Sequence, residues 1–266
     1  MSKITIIGSG NIGLSLAKGL VKSGQYTAAE IMLTRRYLAN LQEEAALGFQ
    51  VHDNNTQAVI GAEIVVLAIL PQQLRKVLEE VKDTVHAGQI IVSVVSGVSC
   101  ADIKQVLGDD KLVVRAMPNT AIAIGQSMTC IATDYAADTE IKKVEQLFEA
   151  VGAVVVIQED LMTSATALCA CGIAFFLRAI RAASQGGVEI GFHAHDALKM
   201  AVQTAKGAAD LLLQTQNHPE GEIDKVTSPK GCTIAGLNEM EHHGFSSAFI
   251  KGIKLSAEKA GGLYNE

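Results

Sequence analysis

Lys3-Ile4-Thr5-Ile6-Ile7-Gly8-Ser9-Gly10-Asn11-Ile12-Gly13 is the stretch whose reading decides the fold. A short β-branched apolar run, the signature of a buried strand, passes directly into G-x-G-x-x-G, and a helical pattern, Ile12–Ser23, follows at once. In that context each glycine has a reason. Gly8 permits the tight turn, Gly10 lets the backbone approach a pyrophosphate, and Gly13 lets the helix pack close to the strand. The helix start offers free N–H groups to phosphate oxygens. Gly8, Ser9, Gly10, Asn11, Ile12 and Gly13 are therefore expected to contact a dinucleotide. The plainer alternative is a glycine turn in a sheet that binds nothing.

The second strand discriminates between dinucleotides. NAD-selective sites place Asp or Glu about 20 residues further on, to bind the ribose 2′-hydroxyl. Here the expected strand Glu30–Leu33 runs into Thr34-Arg35-Arg36, with no carboxylate at its tip. A hydroxyl and two guanidinium forks suit a 2′-phosphate. NADPH is the expected cofactor, with NADH as the alternative, and Asn55 joins the expected contacts. Two further loops lie at carboxyl ends of strands, where such sheets bind ligands. They are Ala68-Ile69-Leu70-Pro71-Gln72 and Val95-Ser96-Gly97.

Working outward, short Ile/Val-rich runs alternate with helical patterns. Strands are expected at Ile4–Ile7, Glu30–Leu33, Ile64–Ala68, Ile90–Val94, Leu112–Ala116, Ser127–Ala132 and Val154–Ile157. Helices are expected at Ile12–Ser23, Tyr37–Leu47, Pro71–Val81, Cys100–Leu107 and Thr139–Val151. Such alternation implies an α/β doubly wound parallel sheet of the Rossmann type, spanning residues 1–158. Beyond Glu159 the strand signals stop. Leu161–Ser184 and Ala194–Gln216 are long helical patterns, and Glu220–Val226, Thr233–His242 and Ser246–Ala260 are shorter ones. Several are apolar around most of their circumference, as in helices buried on several sides. Residues 159–266 are thus expected to form an all-α domain that assembles a homo-oligomer, at least a dimer.

Composition narrows the partners. The chain of 266 residues is 48% hydrophobic and 19% charged, as in a globular protein. A net charge of −6 and scattered Lys and Arg argue against nucleic acid. Five cysteines without a Cys-x-x-Cys pair argue against a disulfide framework, and the seven histidines show no metal spacing. The longest unbroken apolar run containing at most one charge, Ala58 to Leu70, is too short to span a bilayer. The expectation is a cytoplasmic protein without metal or membrane attachment.

Longer motifs carry a resemblance. Leu67–Gln72, Met117-Pro118-Asn119-Thr120, Phe148-Glu149-Ala150-Val151-Gly152 and Thr166-Ala167-Leu168 are similar to segments of the pyrroline-5-carboxylate reductase family. The most specific piece runs from Asp224 to Leu237 and includes Thr227-Ser228-Pro229-Lys230-Gly231-Cys232-Thr233. The resemblance covers nearly the whole chain. It implies NADPH-dependent reduction of a cyclic imine, 1-pyrroline-5-carboxylate, to proline, as the last step of proline biosynthesis. It also implies substrate contacts at Ser228, Lys230, Gly231, Cys232 and Thr233, and at Cys171 and Gly172. Thr233 is the expected catalytic residue, its hydroxyl near the substrate nitrogen; the alternative is that it caps a helix Ile234–His242, and both roles are compatible.

The chain departs from the family pattern in places. Lys230 stands where glycine is usual, and Cys232 where Thr or Ala is common. Cys169-Ala170-Cys171-Gly172-Ile173-Ala174-Phe175 replaces Ser-Gly-Ser-Gly-Pro-Ala-Tyr, and Leu70 replaces a frequent Lys. The result is a more apolar wall of the same spacing. Two other readings stand beside the reductase. One is a different reductase of the same plan, acting on another imine or a small hydroxyacid; hydroxyacid enzymes of this plan usually carry a catalytic Lys in the interdomain helix, and Leu161–Ser184 has none. The other is a protein that binds NADPH without turnover.

Overall fold

The computed structural model describes residues 3–134 and 138–261. It divides into two compact units, Met1–Cys171 with Leu255–Glu266, and Gly172–Lys254.

The first unit is built on one eight-stranded sheet. Its strands are β1 (Ile4–Ile7), β2 (Ile31–Thr34), β3 (Gln50–His52), β4 (Ile64–Leu67), β5 (Ile90–Ser93), β6 (Leu112–Met117), β7 (Ser127–Ala132) and β8 (Gly152–Val156). The helices among them are α1 (Asn11–Lys22), α2 (Gln42–Ala46), α3 (Asn55–Ala58), α4 (Pro71–Val81), α5 (Cys100–Leu107) and α6 (Asp138–Glu149). The spatial order is β3-β2-β1-β4-β5-β6-β7-β8, so the winding reverses between β1 and β4. Ligands bind at such a reversal, beyond the carboxyl ends of the strands.

Period-two alternation explains how both faces of the sheet are filled. Ile4, Ile6, Ile64 and Val66 join a core with Leu16, Leu20, Leu33 and Phe148. Ile7, Val65 and Leu67 join a second core with Leu74, Leu78 and Ile103. A strand with both faces packed has no reason to alternate polar residues, which is why ITII and IVVL read as continuous apolar runs.

Most expected elements are present, with several differences. β3 was not anticipated; three half-buried residues at the sheet edge are too few to set up a hydrophobic period. Glu30 is not in a strand, because its carboxylate accepts from the backbone N–H of Thr27 and closes a short 3₁₀ turn. Tyr37–Leu47 is not one helix but a 3₁₀ turn, Leu38–Leu41, followed by α2. The sheet is not wholly parallel, since β7 runs antiparallel to β6. The nine residues 118–126 between them are too short for a parallel crossover, which needs a dozen or more.

After β8 the chain forms α7 (Met162–Ala165), a π-helical turn (Thr166–Cys171) and α8 (Gly172–Glu189). The expected single helix Leu161–Ser184 is thus broken by a π-turn, a feature that periodicity over the whole segment averages away. This stretch, 159–189, is long and apolar enough to cross a membrane, a test that core helices of globular proteins also pass. A count of unbroken apolar residues missed it because polar and charged side chains, Arg178 and Arg181 among them, interrupt it.

The second unit contains α8, α9 (Ala194–Thr215), α10 (Pro219–Lys225), α11 (Cys232–His242) and most of α12 (Phe245–Ala260). α8 and α9 form a tight hairpin, in which a Cβ on Gly187 would come within 2.9 Å of the Ala197 methyl. Phe175, Phe176 and Phe245 gather around Phe249 at centroid distances of 5.5–6.1 Å. Large apolar side chains elsewhere on these helices lie open, including Leu177, Val188, Leu198, Met200 and Leu213.

Candidate active site

The glycine loop sits at the reversal point between β1 and β4. Gly8 has φ +96°, and a Cβ there would lie 2.4 Å from the Ala68 carbonyl oxygen. A Cβ on Gly13 would lie 2.2 Å from the Gly8 carbonyl oxygen. Around Gly10, by contrast, no atom lies within 4 Å of the Cβ position. The first and third glycines are therefore demanded by the protein itself, and the middle one leaves room for something else. Gly10 is also the N-cap of α1 and makes no side-chain cap, so the first N–H groups of the helix face the loop unclaimed by a side chain. These features fit a pyrophosphate.

Not every expected contact offers its side chain. Ser9 is buried, and both its N–H and its hydroxyl donate to the Thr34 carbonyl, at 3.2 and 3.0 Å. This pair ties the glycine loop to the tip of β2. The Thr34 hydroxyl is buried too and donates to Asn55 Oδ1 at 2.7 Å, while Asn55 Nδ2 donates to Glu80. Thr34 and Asn55 thus hold each other. Arg35 and Arg36 are exposed directly beyond β2, beside the strand that ends in Gly8. The Arg35 backbone N–H donates to the His52 carbonyl at 3.1 Å, and its only side-chain hydrogen bond among those described is a long one, 3.4 Å, from Nη1 to the Asn40 carbonyl. The β2 tip carries two guanidiniums and no carboxylate of its own.

The two neighbouring loops close the crevice. The Ala68 N–H donates to the Ile7 carbonyl, which carries the chain from β4 alongside β1. Leu70 projects outward, and Pro71 and Gln72 open α4. Val95 is buried in the core, whereas Ser96 and Gly97 are part-exposed.

The second unit holds the other expected loop. The Gly231 N–H donates to the Ser228 carbonyl at 2.9 Å, closing a four-residue turn with Pro229 and Lys230 at its centre. Lys230 has φ +58°, left-handed backbone that favours glycine at this place in a turn. This accounts for the glycine usual there in the pattern the chain resembles. Gly231 itself is crowded, since a Cβ would lie 2.9 Å from the Ser228 carbonyl oxygen and 2.5 Å from its Oγ. α11 starts at Cys232 with Gly231 as its N-cap and no side-chain cap. Thr233 therefore lies inside the first turn and does not cap the helix. Cys232 is exposed and Thr233 half-buried. Uncapped N–H groups beside a lysine are suited to a carboxylate.

Sequence reasoning gave no role to Asn119. It is buried, its side-chain oxygen accepts from the Ala121 N–H, and its Nδ2 donates to the Cys169 carbonyl at 3.2 Å. It thereby pins the π-turn that leads into Cys171 and Gly172. Nor was Glu159 anticipated. Its carboxylate accepts from the Cys100 N–H at 2.7 Å and from Arg115 at 3.2 Å. Both links join residues more than forty apart, which no local pattern reveals.

Residues 159–263 match the family described as pyrroline-5-carboxylate reductase dimerisation, and residues 3–97 match NADP oxidoreductase coenzyme F420-dependent. Two relatives come from Dictyostelium discoideum. Pyrroline-5-carboxylate reductase 1 is 50% identical over 99% of this chain, which spans only 50% of that protein. Pyrroline-5-carboxylate reductase 2 is 47% identical, over 97% of this chain and 91% of its own length. Among solved structures, a pyrroline-5-carboxylate reductase from Coxiella burnetii is 29% identical, with a TM-score of 0.91 and 98% of each chain covered.

Proposed function

The chain belongs to the pyrroline-5-carboxylate reductase family, and from that premise we propose that it reduces 1-pyrroline-5-carboxylate to L-proline with NADPH. The observation that carries the proposal is the pairing of full-length family likeness with a glycine loop whose middle position alone is left open.

The chain's own residues then take these parts. The N–H groups of Gly10, Asn11, Ile12 and Gly13 hold the pyrophosphate, and Arg35 and Arg36 hold the 2′-phosphate. The backbone of Ile69–Gln72 and Val95–Gly97 flanks the nicotinamide. When bound, the dinucleotide supplies a hydride. The turn Ser228–Gly231 and the α11 N–H groups bind the substrate carboxylate, with Lys230 adding attraction. Cys171 and Gly172 form an apolar wall. The Thr233 hydroxyl contacts the ring nitrogen and steadies its proton. An imine that arrives protonated is already electrophilic, so no strong general acid is required and positioning dominates. Residues 1–158 serve the cofactor, and residues 159–266 serve substrate and self-association. The open apolar side chains of α8 and α9 support assembly with further copies, and the five free cysteines agree with a cytoplasmic setting.

The decisive experiment follows NADPH oxidation by absorbance after pyrroline-5-carboxylate is added to the full-length protein, with proline identified as product. Tight NADPH binding without turnover would reject the reductase in favour of a binding protein. Thr233→Ala should lower turnover roughly tenfold, as for a lost hydrogen bond to a charged group, while leaving NADPH affinity intact. Unchanged kinetics would remove Thr233 from the mechanism.

A further inference from the structure

Two cysteines distant in sequence meet in one apolar pocket of the first unit. Cys130 on β7 and Cys169 in the π-turn bring their sulfurs to 3.7 Å. The pocket is walled by Met117, Ala132, Met162, Ala165 and Ile157. Both thiols are free. The Cys169 end is anchored, because Asn119 Nδ2, in the loop that leads to β7, donates to the Cys169 carbonyl. A disulfide has its sulfurs about 2.05 Å apart, so the gap to close, 3.7 less 2.05, is about 1.7 Å, within reach of side-chain rotation.

We propose that Cys130 and Cys169 form a reversible intrachain disulfide when the protein meets a peroxide, and that the bond restrains the turn leading into Cys171 and Gly172. The chemistry balances with the peroxide as sole oxidant. The Cys169 thiolate attacks one peroxide oxygen, the O–O bond breaks, and the leaving oxygen takes a proton as water or alcohol. Cys169 is then a sulfenic acid. The Cys130 sulfur gives up its proton and attacks the Cys169 sulfur; the S–O bond breaks and water leaves. Two thiols and one peroxide become one disulfide, one water or alcohol, and one further water. A small dithiol reverses the step by exchange.

The roles follow from the surroundings. The Cys130 thiol hydrogen-bonds to Cys169, which lowers Cys169 below the ordinary thiol value and makes it the nucleophile; the same bond, with burial, holds Cys130 protonated. Cys100 is pushed up to about 12 by burial and is inert. Cys232 is exposed but lies in the second unit.

Full-length protein treated with one equivalent of hydrogen peroxide, then mapped without reductant, tests this. The expected product is a linked pair of peptides carrying Cys130 and Cys169, two hydrogens lighter than their sum, which dithiothreitol separates. Turnover of imine with NADPH is lost in proportion to the linked fraction and returns with dithiothreitol. Cys130→Ser keeps basal turnover, gives no link and does not show this reversible loss. The absence of that peptide pair, or a Cys169–Cys171 link in its place, overturns the disulfide. A link that leaves turnover unchanged overturns the restraint. The peptide map needs neither the variant nor the reductase activity, so it decides the disulfide even where either fails.

Discussion

The glycine loop after β1 and the turn before α11 are built on the same device, a helix start that no side chain caps. They differ in what enforces their shape. At Gly8 and Gly13 the neighbouring backbone forbids a Cβ outright, because the loop is wedged between two central strands and their helix. At Lys230 nothing but local turn geometry asks for glycine, and a lysine occupies the left-handed position at a cost of about 1 kcal/mol. A binding loop set inside a core keeps its glycines by exclusion. One set on an exposed helical surface accepts a charged residue when the gain in attraction offsets a modest strain.

That contrast can be broken experimentally. The largest effect is expected from Gly13→Ala, whose methyl would collide with a carbonyl oxygen at 2.2 Å. It should destabilise the protein by about 3 kcal/mol or more, read by thermal unfolding. Gly10→Ala is its counterpart: the methyl enters open space and only the helix cap is weakened, so unfolding should shift by about 1 kcal/mol or less while NADPH binding, read by fluorescence, collapses. Equal unfolding temperatures for the two variants would refute the exclusion argument. Next comes Arg35→Ala with Arg36→Ala, which should raise the KM for NADPH roughly tenfold or more, the worth of a charge-assisted contact, and leave that for NADH nearly unchanged. The smallest effect is expected from Lys230→Gly, a gain of about 1 kcal/mol in stability with a modest rise in substrate KM. A loss of stability would mean that Lys230 has a folded-state partner worth more than its strain.

Legibility followed the range of the interactions. β1, β7, α4 and α5 were readable to the residue because their signals are local: continuous β-branched runs, Pro71 at a helix start, Ser99 with Asp102 as a capping box. The antiparallel β7 was readable in principle from the nine residues before it. The π-turn was not, since it depends on Asn119 reaching the Cys169 carbonyl fifty residues away. At the cofactor site the glycines and the two arginines were legible as chemistry. That Ser9 and Thr34 spend their hydroxyls inside the protein was not, because a motif names residue types and not the direction in which their protons point.

The strand order also sets a timetable. β1 lies in the middle of the sheet, and its partner on one side is β2, close behind it in the chain. Its other partner, β4, pairs Ile4 with Ile64, a separation of 64 − 4 = 60 residues. At roughly 5–20 residues per second of synthesis, the apolar edge of β1 waits about 3–12 s for that neighbour. During this interval a nascent chain carries a strand destined for full burial only half-paired, so the edge that β4 will cover stays open to water.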